Sequence, residues 1–533
     1  MLGSAWVVPL LLAAITAVGL SLRLPSFGDS LFGDEVGAFY DVSGHGLGRV
    51  IHLLSGHSPE LNPPLYFVVA WLSEQLFGTS AQSLRLISLV SGLATIPLTY
   101  LLGRWTVGLR AGLVAATIVA LCPFLVFYSS QARPYGLLVV LCLLSTLALL
   151  KAIETGSRAW WVAYAAASCG AMYTHFTSVF LLIVQFGWAF VSHARSRRGL
   201  VAANVATAIG FLPWLPNLID TARSPGPRLY GVLEPFTFHA VRKGLGQLWI
   251  GSPMQPISRI PGAVSIGLAL AGIVVAAFGA VLSSKGSRLR YRLPGRSAGI
   301  VLVTLLAFAV PVAVGLYSSV RPSVWNSRNL SSSWPAFAVL LGAVLTYPRT
   351  LWRIPTLALV LAAFAVGTVK VLAPQYHRPN YQAAADYISR TGSAQAPVVQ
   401  WPDYSPGPPT ELEVAFAING SSRRRPVVRL GAAPLAAVLR APPYTRLLPQ
   451  PGEVVAREAV RLADADRVFL VLPSPVPISQ LEAARRKHVT SRPTSNILVL
   501  LSALLGALPP RFHLVAVHTY QGLHRVTVYV FQG

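Results

Sequence analysis

The sequence predicts a polytopic α-helical membrane protein with about eleven transmembrane helices and a C-terminal α/β domain outside the bilayer. Three observations predict it. Apolar runs close to the ~20 residues that cross a hydrocarbon core recur from the N-terminus to residue 373. The gaps between them alternate between short basic segments and longer, less basic ones. Beyond Lys370 the texture changes to short stretches of mixed helix and strand character.

Hydropathy places the runs at 5–22, 84–103, 111–128, 137–153, 159–174, 178–193, 200–216, 262–283, 298–317, 331–347 and 354–373. The first lacks a basic leader and a small-residue cleavage site, so it reads as a retained helix. Short gaps carry Arg104/Arg110, Lys151/Arg158, Arg195/Arg197/Arg198, Lys285 to Arg296 and Arg349/Arg353. By the positive-inside rule these gaps are cytoplasmic, which puts the N-terminus inside and the C-terminus outside. The expected location is the plasma (inner) membrane. The segment from Pro64 to Phe77 is apolar but short, and Glu74 lies in it. It is read as a helix lying in the membrane interface. Val36 to Leu54 has apolar residues at helical spacing, so the first outer loop is expected to hold two amphipathic helices.

This divides the chain into a membrane domain at 1–373 and an outer domain at 374–533. The membrane domain includes the outer loops 23–83 and 217–261, the latter with a helical piece from Phe238 to Ile250. In the outer domain a helix is predicted to start near Pro379, with strands at 396–400, 467–472 and 526–531 and a buried helix at 496–508. Residues 402–409 and 442–451 are proline-rich.

The formal net charge of +25 is explained by topology rather than by nucleic acid, since there is no basic–aromatic module. The three cysteines, Cys122, Cys142 and Cys169, all lie in apolar runs without metal-ligand spacing. They read as small core residues.

Against a chain that is only 11% charged, Asp34 and Glu35 stand out just beyond the first run. With this topology, other polar residues reach the same face: Asn62 and Tyr66, Arg133 and Tyr135, Tyr173 and His175, and Arg328. A carboxylate there can take a proton from a hydroxyl or hold a divalent cation, Mg2+ or Mn2+ at Asp34. Arginines bind phosphate oxygens in bidentate fashion. Each residue also has a plainer reading. Asp34 suits a helix N-cap, and Arg133 an arginine snorkelling to head groups. His175 suits a satisfied helix end, Arg328 an outer anchor, and Tyr135 and Tyr173 an aromatic belt. Glu60 and Glu74 are read as neutralising nearby arginines.

At these residues the sequence resembles the GT-C glycosyltransferases, in particular the protein O-mannosyltransferase and lipid A aminoarabinose transferase branch. The matching pieces are Asp34-Glu35, Pro63-Pro64-Leu65, Leu76-Phe77-Gly78, Gln131-Ala132-Arg133-Pro134-Tyr135, Tyr173-Thr174-His175, and Arg328 before Trp334-Pro335. The resemblance implies an inverting transfer of one sugar from a polyprenyl phosphate to a hydroxyl on an envelope glycan, lipid or protein. Asp34 is then base or metal holder, with Glu35 supporting it or positioning the acceptor. Arg133, Arg328, His175 and Tyr135 face the donor phosphate, while Asn62, Tyr66 and Tyr173 lie in the acceptor or head-group region. No organic cofactor is implied. Asn62 stands where many relatives have His or Lys, and Asn329 where many have an aromatic. An arginine-rich, lysine-poor bacterial composition favours mannose or arabinose. The rival readings are a lipid-linked glycan transporter, which calls for midplane charges and discontinuous helices, and a non-catalytic envelope scaffold.

Overall fold

The computed structural model describes residues 6–57, 60–223, 235–249, 262–284, 294–321, 323–348, 350–394, 396–401, 410–420, 427–429, 466–486 and 497–533. Both proline-rich segments and the basic run from Lys285 to Arg292 lie outside the described residues.

The chain opens with α1 (Val7–Arg23), then α2 (Asp34–Val42), α3 (Leu47–His52) and α4 (Leu65–Phe77). The bundle continues through α5 (Ala81–Thr106), α6 (Leu109–Leu121), α7 (Pro123–Ser129), α8 (Tyr135–Thr155), α9 (Arg158–Met172) and α10 (Ser178–Ser192). After α11 (Arg197–Phe211) and α12 (Leu215–Arg223) come α13 (Phe238–Trp249), α14 (Gly262–Ser284), α15 (Pro294–Val320), α16 (Trp334–Thr346) and α17 (Thr350–Val371). Each predicted apolar run is helical, and the chain is a multi-pass membrane protein. Among the described residues seven helical stretches are long and apolar enough to cross a membrane, or eight with the bent α6–α7 pair as one span. The helices α1, α4 and α10 are shorter apolar ones.

Close packing follows from small residues, as it does where lipid offers no hydrophobic contrast. A Cβ on Gly103 of α5 would lie 2.6 Å from the Cα of Gly112 in α6, so the two backbones touch. The run predicted as one helix at 111–128 is broken: α6 and α7 meet at 60°. Pro123 has no N–H to give the carbonyl of Val119, and Cys122 is extended. The freed carbonyls are taken by neighbours. Arg23 donates to Ala120 (3.2 Å) and Val119 (3.4 Å), and the Thr368 hydroxyl donates to Leu121. This bend turns α7 back so that residues 129–134 reach the N-terminus of α2.

Among the described residues the C-terminal domain is a five-stranded sheet flanked by helices. Its strands are β1 (Val398–Gln400), β2 (Val427–Arg429), β3 (Arg467–Leu472), β4 (His513–Tyr520) and β5 (Val526–Gln532), in the order β2-β1-β3-β5-β4. β1 is parallel to β2 and β3, and β5 is antiparallel to β3 and β4. Its helices are α18 (Tyr381–Thr391), α19 (Glu411–Ile418), α20 (Ile478–Arg486) and α21 (Ile497–Ala507). β2 and β4 were not predicted. β4 is an edge strand whose exposed positions include Val515 and Val517, against the usual apolar-in pattern.

Candidate active site

The segment before α2 is fixed by Gly33, whose φ of 61° is left-handed and suits glycine. It turns the chain so that Asp34 and Glu35 open the helix and diverge. The Asp34 carboxylate stays partly exposed and accepts from the Arg328 guanidinium. Arg328 sits on a 3-10 turn, Ser327–Ser333, capped by the Asn326 side chain (Oδ1 to Arg328 N, 3.2 Å). Its guanidinium lies 5.8 Å from the centre of the Tyr135 ring.

Arg133 completes this face. Its Nη1 lies 3.4 Å from the Asp34 carbonyl, and its fork grips Glu60. Asn62 orients Glu60 in turn, through its backbone N–H (3.0 Å) and its side-chain amide (2.6 Å). The Arg133 Nε is buried and meets no acceptor among the described residues. Burial would raise the Asp34 and Glu60 carboxyls, but the arginines outweigh it. Arg328 and Arg133 hold Asp34 below the ordinary carboxylate range, and Arg133 does the same for Glu60. His175 lies 5.8 Å from Tyr135, ring to ring. The Thr177 N–H donates to its Nδ1 (3.3 Å), so the neutral ring carries its proton on Nε2. Burial, aided by Arg328 and Arg133, pushes its pKa down to about 3.

Glu35 faces the other way and is fully buried. Its Oε1 accepts from Arg85 Nε (2.8 Å) and the Ala132 N–H (2.7 Å), and its Oε2 accepts from Arg85 Nη2 (2.8 Å) and pairs with Arg378 Nε (2.8 Å). An acceptor-facing role for Glu35 is therefore corrected: its oxygens are enclosed by protein donors. Tyr66 and Tyr173 are corrected too. The Tyr66 hydroxyl donates to the Leu84 carbonyl (2.9 Å) in a fully buried setting. That of Tyr173 donates to Gly210 (3.0 Å) while its ring packs on Phe211. Both hydroxyls are taken up by backbone carbonyls.

The sequence reading missed Arg85, Arg378 and Asp29. Arg85 carried a usable signal: it is an arginine inside a predicted apolar run, and such residues need a partner. Arg378 and Asp29 meet only in three dimensions. Glu60 was correctly expected to neutralise an arginine, and it does so beside Asp34.

A divalent cation held by protein fits this site poorly. Among the described residues no three His, Cys, Asp or Glu side chains converge. The Asp34 carboxylate already has a guanidinium where a cation would sit.

The family model for dolichyl-phosphate-mannose–protein mannosyltransferases matches residues 61–219. The oligosaccharyltransferase of Archaeoglobus fulgidus superposes with a TM-score of 0.50 at 13% identity, covering 87% of this chain and 69% of that one. The chain has the GT-C fold. ArnT of Cupriavidus metallidurans bound to undecaprenyl phosphate aligns over 99% of this chain and 98% of that one, at 15% identity and a TM-score of 0.45. A putative mannosyltransferase of Bacillus subtilis, YkcB, is 32% identical over 101 residues, or 19% of this chain; the match spans only 14% of that relative's length. Within the GT-C fold of this chain the family match includes Arg85, Arg133 and His175. Asp34, Arg328 and Arg378 lie beyond it.

Proposed function

We propose that the chain is an inverting glycosyltransferase that moves one sugar, mannose or arabinose, from a polyprenyl phosphate to an acceptor hydroxyl at the outer face of the plasma membrane. The observation that carries this reading is the Asp34–Arg328 pair. It sets one solvent-reachable carboxylate against a guanidinium at one end of an apolar bundle. Arg133 stands beside it with an Nε–H that meets no acceptor among the described residues.

In the empty site Arg328 and Arg133 are balanced by Asp34 and Glu60. A donor phosphate competes for both guanidiniums. As Arg328 turns to the phosphate, Asp34 loses its counter-charge, and its basicity rises when the acceptor arrives. The acceptor oxygen then attacks the anomeric carbon from the side opposite the phosphate. Its proton passes to Asp34, and the bond from anomeric carbon to phosphate oxygen breaks. The leaving polyprenyl phosphate gains negative charge as it departs, and Arg328, Arg133 and the Nε2–H of His175 stabilise that charge. It leaves as an anion and needs no acid. Glu35 supports Asp34 from behind. The apolar helices take the polyprenyl chain, and the short basic gaps keep the N-terminus cytoplasmic.

Purified full-length protein in lipid nanodiscs, given radiolabelled polyprenyl-phosphate mannose or arabinose and an envelope extract as acceptor, tests this. The expected result is label transfer from one of the donors, unaffected by EDTA and lost in Asp34→Asn. Absence of transfer from both donors would overturn the reading.

A further inference from the structure

The Glu35 carboxylate is reached from the C-terminal domain. Arg378, two residues before the Asn380 cap of α18, places Nε on Glu35 Oε2 (2.8 Å) and Nη2 on the Ser130 carbonyl (2.7 Å). One guanidinium therefore spans the two segments that carry Asp34 and Arg133. Its own backbone is pinned from both sides. Asp29 faces the Arg378 N–H and Nη1 and the His377 ring. On the other side Leu523 donates to the His377 carbonyl (2.7 Å), and a Cβ on Gly522 would lie 2.8 Å from the Arg378 carbonyl. The same domain also holds the start of α2 directly. Phe32 is buried among Tyr381, Ala384, Ala385 and Phe416, and Ser30 accepts from the Gln382 N–H (2.8 Å).

We propose that Arg378 is a positioning residue for the transfer reaction, acting through Glu35 and Ser130, so that the C-terminal domain forms part of the reacting site's frame. Glu35 is the node. Arg85 of the bundle, the 129–134 loop and Arg378 all converge on it, and as the second residue of α2 it is one peptide bond from Asp34. A domain that only gathered acceptor would need no guanidinium buried behind the reacting carboxylate. Placing Arg378 there lets the bundle, the loop and the domain define the Asp34–Arg133 spacing together.

This rests on the transferase reading, and the test separates the two. In full-length protein, Arg378→Gln lowers kcat by about a hundredfold, the scale of an ångström-sized misplacement. The donor KM stays within about threefold, since no donor contact is removed. Asp29→Asn removes the charge of the docking pair while keeping an amide oxygen for the Arg378 N–H, so Arg378 stays on Glu35; it lowers the melting temperature and keeps kcat within about twofold. Equal loss of kcat in the two variants would show simple adhesion and overturn the proposal. If Arg378→Gln fails to fold, Arg378→Lys takes its place. It keeps the charge but cannot span Glu35 and Ser130 together, so it is expected to lower kcat with an unchanged donor KM; wild-type kcat would overturn the proposal. Should the wild type transfer no sugar, the transferase reading falls and the frame is read by thiol labelling of Asp34→Cys. Adding Arg378→Gln, or Arg378→Lys where the Gln variant fails to fold, speeds labelling severalfold and adding Asp29→Asn does not. No change with the Arg378 substitution overturns the proposal.

Discussion

Arg328 donates to the carboxylate of Asp34 across 294 residues of sequence, and its guanidinium lies 5.8 Å from the Tyr135 ring centre. The pair joins the beginning and the end of the bundle at one point. If Asp34 is the base, Asp34→Asn keeps the shape and loses the proton acceptor. Transfer should fall by about a hundredfold to ten-thousandfold, the contribution of a positioned base, with normal membrane insertion. Arg328→Ala removes a charge-assisted contact of about 1.5–3 kcal/mol. The apparent donor KM should then rise about tenfold or more in steady-state assays. An unchanged donor dependence would take Arg328 out of the phosphate site.

The same pair sets a pH dependence. Against the burial that would raise it, Arg328 and then Arg133 hold the Asp34 carboxyl below its ordinary value. A carboxyl lowered by folding contributes stability above its unfolded pKa and loses it as pH falls through the folded one. The acid limb of kcat/KM, which reports the free enzyme, should therefore lie below the range of an ordinary aspartate. Once donor phosphate draws Arg328 away, the acid limb of kcat should lie at higher pH than that of kcat/KM. In Arg328→Ala the two limbs should converge. Coincident limbs in the wild type would contradict the exchange of partners.

His175 is expected to act as a neutral donor. Its pKa, pushed down to about 3 chiefly by burial, leaves the ring uncharged at every working pH. Nδ1 already faces Thr177. Replacing it by Gln keeps an N–H donor, while replacing it by Phe removes a neutral hydrogen bond of about 0.5–1.5 kcal/mol. His175→Phe should lose two- to tenfold in kcat/KM, roughly uniformly between pH 5 and 8. A limb near pH 6–7 that vanishes in His175→Gln would show a charged histidine instead.

The membrane helices were legible because apolar runs and basic gaps are local signals. So were Asp34 and Glu35, as carboxylates in an acid-poor chain. What separates the two was not legible. A dipeptide in sequence becomes, at the start of α2, one partly exposed carboxylate and one sealed beneath three donors. Their divergence depends on Gly33 and on Arg85 and Arg378 arriving from elsewhere. Tyr66 and Tyr173 misled for the same reason: adjacency to a motif does not say which way a phenol points. The α6–α7 break was visible as Cys122-Pro123, but in an otherwise unbroken apolar stretch a single proline is also compatible with a mild kink.

That break can be tested through Gly92 and Ser129. A Cβ on Gly92 of α5 would lie 2.0 Å from the Ser129 hydroxyl and 2.5 Å from its Cβ. Both distances are far inside van der Waals contact. Ser129 ends α7 and its hydroxyl donates to the Leu125 carbonyl (2.5 Å), so it cannot swing aside without releasing that bond. Gly92→Ala must therefore push α7 away from α5, at a cost of about 1–3 kcal/mol for an overpacked contact. The displaced segment is the one that carries Arg133 and the Ala132 N–H. The melting temperature should fall, and transfer should fall with it although residue 92 touches no substrate. Removing the Ser129 side chain as well, in Gly92→Ala/Ser129→Gly, frees the space. The double variant should regain most of the stability lost by Gly92→Ala, a positive coupling in a double-mutant cycle. Additive losses would mean that α7 is not seated against Gly92, and the delivery of the 129–134 loop by this contact would have to be abandoned.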